Sequence, residues 1–95
     1  MELIKFINER LIKVNLPCND RNELFRLMHD EAFKYGYVEP SFLEGLTSRE
    51  SIFPTGIKLN NYNVAIPHTE REHCNCKNIV VVKLKNEVIF NLSWV

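Results

Sequence analysis

Apolar positions along this chain change period several times, and each change predicts an element. At the N-terminus Ile4, Ile7 and Leu11 recur at helical spacing, while Ile12, Val14 and Leu16 alternate. That pattern predicts a short helix running into a strand that Pro17 ends. Asp20, with Glu23 shortly after it, is a capping-box-like helix start. Behind it Leu24, Met28 and Ala32 lie on one helical stripe, which Phe25 and Leu27 widen. Gly36 predicts a left-handed cap. Pro40 suits the first turn of a second helix, with Phe42, Leu43 and Leu46 facing inward. Gly45 weakens that helix by about 1 kcal/mol relative to alanine.

From Phe53 the texture changes. Pro54, Gly56, Asn60, Asn61 and Asn63 mark turns around short apolar pieces. Val64-Ala65-Ile66 predicts a short strand that Pro67 ends, because proline offers the ladder no N–H. Residues 67–77 read as polar loop. Ile79 to Leu84 is the best strand, and its unbroken apolar start predicts burial on both faces. Asn86-Glu87 reads as a turn and Val88-Ile89-Phe90 as a following strand. Early helices and late strands on one core predict an α/β class, a mixed sheet flanked by helices. Residues 1–95 are expected to form a single domain that lacks its C-terminal part, since the chain stops just after Trp94 with a strand edge to cover.

Composition narrows the function classes. The chain has 95 residues, and 45% of them are hydrophobic. A core is feasible but thin, because so short a chain buries only about 60–65% of its unfolded surface. Twelve basic and twelve acidic residues cancel, which argues against nucleic acid as a partner. The longest apolar run, Ile79 to Val82, is too short for a bilayer. Lys5, Asn8, Glu9 and Arg10 break any signal-peptide apolar region. Three cysteines, Cys18, Cys74 and Cys76, make a poor disulfide framework and fit a reducing cytosol. The expectation is a cytoplasmic domain with no membrane insertion.

His68 is the most informative residue for chemistry. It follows a predicted strand end and Pro67, so its backbone is stiff and its imidazole is presented with little entropy left to lose. At neutral pH a histidine is mostly an uncharged nucleophile. A neutral imidazole attacks phosphorus with no base to activate it, provided its other nitrogen is held by a hydrogen bond. Arg49, at the end of the predicted second helix, brings a guanidinium that grips two phosphoryl oxygens and stabilises the charge of a loose transition state. Thr55 and Thr69 offer hydroxyl donors nearby. Glu50 and Glu70 read as solvated carboxylates that could orient the imidazole. Each residue taken singly also has a plainer reading: a loop histidine, a helix C-terminal cation, turn threonines. His73, Cys74 and Cys76 form an H-C-x-C cluster that, with His68, could supply zinc ligands, although the spacing is not that of a standard finger.

Gly36-Tyr37-Val38-Glu39-Pro40, Ser48-Arg49-Glu50, Phe53-Pro54-Thr55-Gly56-Ile57 and Val64-Ala65-Ile66-Pro67-His68 follow one another as an ordered series. The series resembles the enzyme IIA domains of the sugar phosphotransferase system, fructose/mannitol class. F-P-T-G-I followed by A-I-P-H-T-E looks most like the galactitol-type branch. Thr69 stands where many members have a smaller residue. The resemblance implies a mixed sheet with helices on both sides and no metal or organic cofactor. It implies a phosphoryl carrier that takes phosphate from phospho-HPr and passes it to a cysteine of a IIB partner. The phosphoryl-accepting histidine maps onto His68 and the site arginine onto Arg49. The same domain type also serves as a regulatory module of transcription regulators, and a metal-binding module is the third alternative. The resemblance covers the chain from about its first helix onward.

Overall fold

The computed structural model describes residues 7–77 and 79–92. In chain order the elements are β1 (Ile7–Leu16), α1 (Arg21–Lys34), α2 (Phe42–Ile52), β2 (Gly56–Lys58), β3 (Asn63–Ala65), a 3-10 turn at Arg71–His73, and β4 (Ile79–Leu84). The α/β class stands. The strands make two pairs among the described residues rather than one continuous sheet. β1 and β4 are parallel, and β2 and β3 are antiparallel.

The N-terminal helix is a correction. Ile7 onward is strand, so the helical spacing of Ile7 and Leu11 was fortuitous; Ile4 lies outside the described residues. β1 keeps its inner face toward α1 through a local kink. Leu11 is buried, and Lys13 reaches Glu31 of α1 at 3.2 Å. Asn15 then takes a left-handed φ of 52° at a register shift, and Leu16 returns to the inner face.

α1 forms as its local signals dictate. The Asp20 carboxylate accepts from the Glu23 amide at 2.8 Å, while Glu23 accepts from the Asn19 amide at 3.2 Å. This is the expected box displaced by one residue at its return bond. At the other end, Gly36 has φ 75°. Its amide donates to Phe33 O and the Tyr37 amide to Ala32 O, a Schellman closure. Leu24, Phe25 and Ala32 are buried, and Leu27 lies at the edge of the stripe, partly exposed.

α2 starts two residues later than Pro40 predicts. Pro40 instead occupies a tight turn in which the Phe42 amide donates to Glu39 O, and Ser41 is the N-cap. Phe42 and Leu46 face inward as expected, with Leu43 partly buried beside them.

The core gathers Leu11, Cys18, Leu24, Phe25, Ala32, Val38, Phe42 and Leu46, from β1, the two helices and the segments that join them. Phe90 closes it edge-on to Phe25, with centroids 5.9 Å apart. Two further expectations fail. β4 is half-buried, not buried on both faces: Val80, Val82 and Leu84 pack inward while Val81 is exposed, because α1 covers one face of the pair. Val88-Ile89-Phe90 is not a strand; Val88 and Phe90 pack as irregular chain and Ile89 points outward. The expected edge near Trp94 lies outside the described residues.

Candidate functional site

The site forms where the end of α2 meets the exit of β3. Arg49 sits in the last turn of α2. Its Nη1 donates to Phe53 O at 2.5 Å, and its guanidinium lies 5.0 Å from the Phe53 ring centre. One residue therefore holds the cation twice, through a carbonyl and through a π face. β3 ends at Ala65, and Pro67 carries the chain outward to His68, which is exposed.

Arg49 Nη2 lies 3.0 Å from His68 Nε2. His68 Nδ1 lies 2.9 Å from Ile66 O. A carbonyl only accepts, so Nδ1 carries the proton in that bond. In the neutral ring Nε2 then holds the lone pair, and it accepts from the guanidinium. The two residues read from the sequence are thus brought together, on the surface, with Nε2 as the imidazole nitrogen that carries the lone pair.

Comparison with known proteins gives the chain a family. A model of the phosphoenolpyruvate-dependent sugar phosphotransferase system EIIA 2 family matches residues 5–94. The chain belongs to this family. It is also 35% identical over 79 residues to galactitol-specific EIIA components of the phosphotransferase system from Escherichia coli strains K12, O157:H7 and CFT073. Those alignments cover 83% of this chain and 53% of each relative, so the chain spans about half the length of the curated relatives it matches. The galactitol-type likeness seen in the motif series is what these relatives carry. No helix among the described residues is long and apolar enough to cross a membrane.

The threonines of this EIIA domain have different situations. Thr55 is buried. Its amide donates to Glu50 Oε2 at 2.6 Å and its hydroxyl to Glu50 Oε1 at 2.7 Å. The hydroxyl expected to face a phosphoryl group is instead engaged inside the protein. Thr69 is half-buried, and its hydroxyl donates to Glu70 Oε2 at 3.1 Å.

Glu50 overturns its sequence reading altogether. It is only 1% exposed, not a solvated carboxylate. A sequence signal existed: α2 turns by about 100° per residue, so Glu50 falls between Leu46 and Leu43 on the inward face while Arg49 falls at its edge, beyond Phe42. Glu70 remains exposed and faces Thr69 and His73 rather than His68. Its own backbone amide and the Thr69 hydroxyl hold its carboxyl below the usual range, with smaller help from His73 and Arg49.

The Cys/His loop is built against the helices. Val38 bridges Cys74, the Glu39 amide donates to His73 O, and the Asn75 amide donates to Tyr37 O. This seats the His73 ring on α2, where Nδ1 lies 2.7 Å from Ser41 Oγ. A cavity of about 290 Å³ opens there, lined by Ser41, Gly45, Ser48, Arg49, Glu70 and His73 among others. The one group of possible metal ligands among the described residues is Glu70, Glu72 and His73, all partly or fully exposed. His68, Cys74 and Cys76 are not gathered with His73, so the zinc set suggested by the H-C-x-C spacing is not assembled.

Proposed function

We propose that this chain is a phosphoryl carrier, taking a phosphoryl group from phospho-HPr onto Nε2 of His68 and passing it to a cysteine of a IIB partner in sugar uptake, galactitol being the favoured sugar class. One observation carries the reading: on an exposed histidine, the Nδ1–H bond to Ile66 O leaves the Nε2 lone pair directed at the Arg49 guanidinium. The setting would be the cytoplasm, where such phosphoryl donors act.

The step follows from that arrangement. The Nε2 lone pair attacks phosphorus, a new N–P bond forms, and the N–P bond to the donor's histidine breaks with its electron pair returning to the donor ring. Negative charge spreads over the three equatorial oxygens of a loose transition state. Arg49 is already at the position where those oxygens arrive, so it moves from the lone pair to the phosphoryl group at little reorganisation cost. The His68 ring becomes cationic on phosphorylation, and the Nδ1–H bond to Ile66 O stabilises that charge. The same charge makes the ring a good leaving group toward a thiolate. Thr69 is the hydroxyl we assign to the phosphoryl oxygens, by turning from Glu70.

Incubating the chain with phospho-HPr should place an acid-labile, alkali-stable phosphate on His68, and His68→Ala should abolish it. No label from a working donor, or a label on another residue, would refute the reading.

A further inference from the structure

We propose that Glu50 is the positioning residue of this site: its buried carboxylate, acting through Thr55 and the β2–β3 pair, sets the approach of Arg49 to Nε2 of His68. The inference rests on the phosphoryl-carrier reading for its importance, but its geometry stands apart from it.

The contacts form a closed circuit. Glu50 adjoins Arg49 in the chain. Glu50 accepts both the amide and the hydroxyl of Thr55, at 2.6 and 2.7 Å. The Thr55 carbonyl accepts from the Ile66 amide at 3.4 Å, one step beyond the Gly56–Ala65 pair of the β2–β3 ladder. The Ile66 carbonyl accepts from His68 Nδ1, and His68 Nε2 returns to Arg49. The bend between α2 and β2 spans only Phe53 to Thr55, and the Glu50 carboxylate ties its far end back to the helix. A change in that bend carries β2, β3 and the imidazole together away from the guanidinium.

A carboxylate is a costly way to fill a core position. Removing it from water costs several kcal/mol, and an apolar residue of similar volume would serve packing as well or better. What a carboxylate adds is two acceptors with fixed geometry, and both are used here. Proximity and orientation contribute strongly to transfer chemistry, so a misplacement of about 1 Å lowers rates by about 10²-fold.

The test compares Glu50→Ala, Glu50→Gln and Thr55→Val with wild type. Three quantities are measured on each: the ¹⁵N shifts of the His68 ring, the rate of phosphorylation by phospho-HPr, and the melting temperature. Wild type should show one tautomer, protonated at Nδ1. Glu50→Ala and Thr55→Val should shift the ring toward a tautomer mixture and slow phosphorylation by about tenfold to a hundredfold. Glu50→Gln should stay within about threefold, since its amide oxygen takes the Thr55 N–H and its amide N–H donates to the hydroxyl. Should Glu50→Ala fail to fold, Thr55→Val preserves side-chain volume and still reports. Folded variants with a lowered melting temperature but an unchanged tautomer and rate would overturn the positioning role. Altered tautomers in the variants, beside a wild type that holds the Nδ1 proton but never accepts phosphate, would instead retain Glu50's role and sink the carrier reading.

Discussion

Arg49 and His68, 19 positions apart in sequence, face each other across 3.0 Å from Nη2 to Nε2. The guanidinium covers the lone pair that would attack phosphorus and presents a cation where a phosphoryl group would arrive. Replacing Arg49 separates these roles. Arg49→Ala should lower the rate of His68 phosphorylation by about 10²–10³-fold, the cost of losing a main donor to a transition-state oxyanion. Arg49→Lys should recover only part of that, because an ammonium lacks the planar fork. Single-turnover phosphorylation followed by ³¹P NMR separates the two.

The helix caps predict modest, local effects. Asp20→Ala removes the acceptor of the Glu23 amide and should cost about 1 kcal/mol. Gly36→Ala puts a side chain at φ 75° with no atom within 4 Å of the new Cβ. Only the backbone objects, and the cost should be about 1–2 kcal/mol. Urea unfolding of the two variants and their double mutant should give nearly additive losses, as the caps lie at opposite ends of α1.

These caps were legible in the sequence because their causes are local. Asp20 acts within one turn, and Gly36 acts through its own φ. Arg49 and His68 were legible for a related reason: each stands at the end of an element that a nearby proline or turn terminates. Where causes were long-range, the sequence misled. Ile7 and Leu11 fit a helical stripe and a strand face equally well, and only pairing with β4 decides between them. The exposure of Val81 depends on which faces α1 and its neighbours cover. Glu50 was misjudged because a carboxylate reads as solvated unless its acceptors are known to be filled, and the filling group, Thr55, lies around a bend. The same bond explains why Thr55 looked like a hydroxyl donor to a phosphoryl group and is not placed as one.

The three cysteines should differ sharply in reactivity, and none of them is in a disulfide. Burial raises the Cys18 thiol above its ordinary value, and the carboxylates of Glu23 and Asp20 add to this. Cys74 is raised chiefly by burial as well. Cys76 is exposed. A thiol-reactive disulfide reagent at pH 8 should therefore modify Cys76 first and Cys18 only on unfolding. A raised thiol favours the folded state below the ordinary thiol pKa of about 9, and that contribution disappears as pH climbs through the raised value. Stability should accordingly fall on the alkaline side, and Cys18→Ala should flatten the fall. Fast modification of Cys18 in the folded chain would contradict its placement.

Gly45 sets helix propensity against packing, and the structure decides between them. In an open helix, Gly→Ala gains about 1 kcal/mol. Here a Cβ on Gly45 would lie 2.6 Å from Thr69 Oγ1 and 2.8 Å from His73 Cδ2. Neither neighbour retreats easily. Thr69 follows directly on His68, and His73 is tied to Ser41 at 2.7 Å. Gly45→Ala should therefore destabilise, by about 1–3 kcal/mol as overpacking does. It should also slow His68 phosphorylation, because it presses on the segment that leaves the imidazole. Adding Thr69→Ala should return part of the stability by clearing the nearer contact, while leaving the push on His73. A Gly45→Ala chain that unfolds at higher urea than wild type would mean that the loop does not rest on α2, and the seating of His73 against Ser41 and Gly45 would have to be abandoned.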